Sequence, residues 1–147
     1  MSPRKQKILA AWLCAALLLA FAQSRGWLRP IEQKGALLVL ERKISAANKD
    51  LPQASGEGVQ IDSMQAGEED GKLFVRQNLT LLQMPSDRVD PRQVRDMIRP
   101  AALDSYCKGP MSKPNPFFDV VFHVAVFSSD RQPITDIALE PADCPAP

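Results

Sequence analysis

Histidine occurs once in the 147 residues, tyrosine once, tryptophan twice and cysteine three times. Each scarcity excludes something. One histidine and two cysteines outside the N-terminal apolar run cannot furnish the three or four ligands of a zinc site, so no metal is expected. Glu68-Glu69-Asp70 sit in a turn with too few oxygens nearby for calcium. No Gly-rich phosphate loop, no Gly-x-Ser-x-Gly and no His-x-x-x-His occurs. The reading therefore assigns no catalytic residue and no cofactor. A dominant charge is missing too. Beyond residue 25, 14 Lys/Arg face 17 Asp/Glu, which gives a polyanion no reason to bind, and no nucleic-acid partner is expected.

What the sequence does have begins at its N-terminus. Arg4, Lys5 and Lys7 precede an unbroken apolar run from Ile8 to Ala22, and Ala20-Phe-Ala22 offers the small-x-small pattern of a signal-peptidase site. Residues 1–25 read as a targeting segment with two possible fates. Cleavage near Ala22 releases a soluble periplasmic protein. Retention, with Trp27 and Leu28 extending the span, makes residues 8–28 a transmembrane helix in the inner membrane. Either route exports the remainder to an oxidising compartment. There Cys107 and Cys144 form an even pair, expected as a disulfide closing a loop of about 37 residues.

Past Arg29-Pro30, Leu37, Leu40, Ile44 and Ala47 recur at helical spacing, and Asn48-Lys-Asp-Leu-Pro52 ends that helix. Residues 26–52 read as an amphipathic helix and linker, and 53–147 as the disulfide-bonded domain. Gln53 to Gly58 reads as a polar loop, Val59 to Met64 as a short strand, and Ala66 to Gly71 as a turn. Lys72 to Leu82 alternates apolar Leu73, Val75, Leu79 and Leu81 with a wetter face. Asp90-Pro91 is an N-cap followed by proline at the first helical position. The helix that follows runs to about Tyr106, and Pro100 is expected to kink or divide it. Residues 117–127 form the most β-prone run, and Pro133 to Glu140 a last strand after a hairpin loop. The expected fold is an α+β two-layer sandwich in the order α-β-β-α-β-β. It has about four mainly antiparallel strands with helices on one face, preceded by the N-terminal apolar helix.

Candidate sites are few. Arg92, Arg95 and Arg99 fall on one helix face, with Arg88 a turn earlier, and a guanidinium stripe suits phosphate or an acidic partner. His123 needs a partner from another element, such as Asp136 or Ser128/Ser129, before it can take part in acid–base chemistry. Asn78-Leu-Thr80 matches a glycosylation sequon in mid-strand. Phe74 stands on the wetter strand face, as a contact surface or packed under the first helix.

Asn48-Lys-Asp-Leu-Pro52, the strand ending Asn78-Leu-Thr-Leu-Leu82, the helix ending in Cys107 and the closing Asp130 … Ile134-Thr-Asp-Ile-Ala-Leu-Glu-Pro-Ala-Asp-Cys144 carry a resemblance. Over most of residues 46–144 the chain resembles a group of small exported bacterial envelope proteins with a C-terminal disulfide. It departs from them where Lys113 to Pro116 replaces a shorter helix–strand connection. The resemblance implies export and the disulfide, and carries over no catalytic residue. The function expected is a non-catalytic binding or accessory module for another envelope component: a secretion or pilus accessory factor and an immunity-type protein that blocks a toxin in the periplasm both fit. The Arg stripe or a sheet edge would make the contact. The alternatives are a small periplasmic hydrolase using His123, or a lipid-binding domain, which needs an apolar cavity between helix and sheet.

Overall fold

A computed structural model describes residues 29–113 and 119–145. The expected anchor or signal segment, residues 117–118 of the β-prone run and the last two residues lie outside that range. Among the described residues no helix is long and apolar enough to cross a membrane.

The chain opens with α1 (Arg29–Ala47), followed by a single turn of tighter helix at Asn48–Asp50. Strands β1 (Gln53–Ala54), β2 (Val59–Glu69) and β3 (Lys72–Leu81) come next, then α2 (Pro91–Lys108), β4 (Val120–Phe127) and β5 (Pro133–Leu139). The five strands form one sheet in the order β1-β2-β3-β4-β5. All neighbours are antiparallel except β3 and β4, which run parallel. The expected number of about four strands is corrected to five, while the sheet is mainly antiparallel as expected, with one parallel pair. The fifth strand is the two-residue β1, which lies within the stretch read as a loop and pairs with Gln60 and Ile61 of β2. The parallel pair follows from α2, because a helix of this length returns the chain to the same end of the sheet.

A second correction concerns Ala66 to Gly71. The strand β2 continues through Ala66 to Glu69, and the turn is only Asp70-Gly71, with φ of 51° and 73°. A two-residue hairpin that matches strand twist needs positive φ at both central positions, and Asp-Gly supplies it. Gly67 then belongs to the strand, where it faces Phe74 across the ladder. A Cβ at Gly67 would lie 2.6 Å from the Phe74 ring, so only glycine leaves room for that ring to lie over the strand.

Asp90 caps α2 as expected, accepting a hydrogen bond from the Arg92 N–H at 2.9 Å, with Pro91 at the first helical position. Pro100 does not divide α2, which remains one element from Pro91 to Lys108. The ring is on the exposed side, where the carbonyl it leaves without a donor can turn to water.

Both helices lie on one face of the sheet, α1 over β2 and α2 over β5. Register places Val75, Leu79 and Leu81 of β3, Phe122, Val124 and Val126 of β4, and Ile137 and Leu139 of β5 on that face. With Ile44, Val94 and Tyr106 from the helices they make one buried core. Alternation sends Phe74, Arg76, Asn78, His123 and Asp136 to the opposite face, which no described helix covers. A disulfide between Cys107 and Cys144, with Cα atoms 5.6 Å apart, ties the end of α2 to the tail beyond β5.

Candidate functional site

On one face of the sheet α1 lies over β2 and α2 over β5, and part of that apolar face is left uncovered between them. Two hollows result. The first, about 460 Å³, lies beside α2. Its floor is Val59, Ile61, Leu79 and Phe122, and Met97, Ile98 and Ala101 form the wall. The second, about 410 Å³, lies under the C-terminal half of α1, between Leu40 and Ile44 of the helix and Met64, Val75 and Val120 of the sheet. Met111, on the loop after α2, borders both.

That loop is held firmly. The Tyr106 ring stacks on Phe122 with centroids 5.9 Å apart and planes at 16°. Its hydroxyl donates to the Met111 carbonyl at 3.3 Å, while the Ser112 hydroxyl donates to the Cys107 and Gly109 carbonyls. Burial, followed by the nearby Asp143 and Glu140 carboxylates, pushes the Tyr106 hydroxyl above its usual pKa, so it stays a donor. Met97 remains exposed at the rim of the first hollow, although it is a large apolar side chain. An apolar floor, a methionine-bearing wall and a fixed loop suit the seating of apolar side chains from a partner.

The uncovered sheet face carries a second cluster. His123 Nδ1 and Asp136 Oδ1 are 2.8 Å apart, and Arg76 Nη2 approaches the same carboxylate at 3.4 Å. The Arg76 guanidinium lies over the Phe74 ring, 5.6 Å from its centroid, and Phe74 meets the His123 ring edge-on. Arg76 Nε is buried and has no acceptor among the described residues. Farther along the face Arg131 and the Thr80 hydroxyl converge on the Asp62 carboxylate. Asp136 is thus the partner that His123 required, but among the described residues no hydroxyl or thiol hydrogen-bonds to His123. Ser128 is buried, its hydroxyl donates to the Gln132 carbonyl, and it stands five residues, roughly 17 Å, along the strand. The pair orients an imidazole and presents it to no nucleophile.

All four arginines of the stripe are exposed, and two of them also make contacts within the fold. Arg95 donates to the Asp136 carbonyl and Arg99 to the Asp143 carboxylate, each at 3.4 Å, so both turn toward β5 and the tail. Phe74 lies on the face away from α1, and Asn78 donates to the Ser63 hydroxyl at 2.9 Å within the sheet. Reading the sequence missed Tyr106 and the methionines of the hollows. Tyr106 stands where the expected helix ends, and its identity as the sole tyrosine held the only clue.

No family model matches the chain, and no curated protein does. Solved structures do match. The chain is similar to EpsS, the pilotin of the type 2 secretion system of Vibrio vulnificus, with a TM-score of 0.59 and 13% identity over 80% of this chain and 99% of that one. It is similar to AspS, a type II secretion pilotin of Vibrio cholerae, with a TM-score of 0.54 and 14% identity over 84% and 99%. A protein of Pseudomonas aeruginosa described as secreted aligns with a TM-score of 0.51 and 14% identity over 75% and 93%. At such identities the likeness establishes a shared fold, and it extends over nearly the whole of both pilotins.

Proposed function

We propose that this protein is a non-catalytic accessory factor of the bacterial envelope that binds a component of a secretion apparatus. The observation that carries the reading is the uncovered apolar floor between α1 and α2, with exposed Met97 at its rim. Two pilotins of type II secretion systems share the fold that creates it. The first hollow receives apolar anchor side chains of the partner, and exposed Arg88 and Arg92 offer a second contact for acidic residues. The protein works in the periplasm, as a soluble species cleaved near Ala22 or as one held in the inner membrane by residues 8–28. Residues 53–147, closed by the disulfide, form the binding domain, with α1 joining it to the N-terminal segment.

The test is a secretion-competent strain in which the chain is replaced by Met97→Lys or Ala101→Glu. Both positions are exposed and line the first hollow, so each variant is expected to fold while placing a charge in the docking site. Loss of the partner component from the protein's envelope complex, at unchanged abundance of the variant, is the expected result. Undiminished complex formation by both variants contradicts the assignment.

A further inference from the structure

The second hollow has a lining of different character. Among the described residues its walls are apolar, its charged groups are Lys43 and Lys113, and no carboxylate contributes. Neither ammonium is held by an ion pair among the described residues, so both remain available to an anion. The strand edge beside the hollow is already occupied. Met64 N–H donates to the Asn48 side-chain oxygen at 2.8 Å, and the Met64 carbonyl accepts from the Asn48 amide at 2.9 Å. An extended peptide therefore finds no free backbone pair to extend the sheet at this point. What the lining can satisfy is a flexible apolar chain that needs no hydrogen bonds, ending in one anionic group. Met64 and Met111 adapt to such a chain better than branched side chains would. A volume of about 410 Å³ falls within the range of small-ligand sites.

We propose that the hollow under α1 binds a long-chain carboxylate, with the acyl chain against Ile44, Met64, Val75 and Met111 and the carboxylate between Lys43 and Lys113. Among the described residues the site shares only Met111 with the docking hollow beside α2, so either assignment fails without the other. The ligand is the free fatty acid. A membrane phospholipid offers the same chemistry from another source, and the experiment separates the two.

The full chain is titrated with dansyl-labelled undecanoate, and the probe is then displaced by oleate, by oleyl alcohol or by phosphatidylglycerol vesicles. Saturable fluorescence enhancement is expected, with displacement by oleate at lower concentration than by the alcohol. In a series of saturated carboxylates the affinity is expected to rise about fourfold per added methylene and to level off once the hollow is filled. Ala47→Trp, at an exposed lining position, and Met64→Trp, deeper in the hollow, are each expected to weaken binding roughly tenfold or more. Lys43→Glu with Lys113→Glu is expected to weaken oleate and leave the alcohol unchanged. Thermal unfolding of each variant confirms that it is folded. No saturable binding overturns the proposal, as does binding that both tryptophan variants leave intact. Equal affinity for acid and alcohol overturns it as well, as does displacement by vesicles with none by oleate, which would assign the protein to a membrane surface.

Discussion

His123 and Asp136 form an imidazole–carboxylate pair, 2.8 Å from Nδ1 to Oδ1, on the sheet face that no described helix covers. The contact joins β4 to β5, and Arg76 reaches the same carboxylate from β3. Asp136 thereby links three neighbouring strands, and Arg95 adds α2 through the Asp136 carbonyl. With the Asp136 side chain 43% exposed, solvent screens the pair. His123→Gln is expected to lower stability by no more than about 1 kcal/mol and to leave partner binding unchanged. Urea unfolding and co-purification read both quantities. A variant that is stable and yet loses its partner would move the functional site to this face.

Gly67 and Phe74 give a sharper stability prediction. A methyl group at Gly67 meets the ring at 2.6 Å and forces it off the strand. Gly67→Ala is expected to cost about 1–3 kcal/mol, the usual penalty of overpacking. Adding Phe74→Val should recover most of the loss, because the clash goes with the ring. A double variant no more stable than Gly67→Ala would place the cost in the strand backbone.

These two clusters show where sequence reading works and where it stops. The alternation of Lys72 to Leu82 assigned Leu73, Val75, Leu79 and Leu81 to the buried face because the period of a half-covered strand is visible in one segment. The Asp90-Pro91 helix start was equally local, and the cysteine pair followed from the expectation of an oxidising compartment. The pairing of His123 with Asp136 depends on which strands become neighbours, which no segment states. The extension of β2 through Gly67 was hidden by Gly67 and the acidic residues after it, which read as turn formers until Phe74 is seen to need the glycine. The hollows were illegible for a related reason. They arise from the separation of two helices across a sheet, and α1 contributes Leu40 and Ile44 to the second while exposing Ile31, Leu38 and Val39 elsewhere.

The disulfide closes a separation of 37 residues and anchors the end of α2 behind the hollows. Replacing Cys107 and Cys144 by serine is expected to lower stability by about 4 kcal/mol on the chain-entropy view. The loss is read by denaturant unfolding of oxidised parent and variant. Equal midpoints would make the bond incidental to the fold.

Asp130 in the hairpin after β4 holds the loop before α2, its carboxylate accepting from the Ser86 N–H at 2.9 Å and the Ser86 hydroxyl at 2.6 Å. The hydroxyls of Ser128 and Ser86 hold its pKa down, from 3.8 to about 2. A carboxylate lowered on folding contributes stability that is present above its ordinary value and lost as the pH falls through the folded one. Acid is therefore expected to loosen this latch between pH 3.8 and about 2. Carboxyl-carbon NMR of Asp130 measures the midpoint directly, and Ser86→Ala is expected to raise it. A midpoint at the ordinary value would mean that the latch is open in solution.

Site-specific photo-crosslinking in intact bacteria tests the central claim most directly. A photoreactive residue is placed at Met97, on the rim of the hollow beside α2, or at Val121, on the opposite sheet face. The account predicts a crosslink from position 97 to a component of a secretion apparatus, abolished by Ala101→Glu, and none to that component from position 121. Crosslinking from position 121 alone, or from position 97 with no sensitivity to Ala101→Glu, would contradict it.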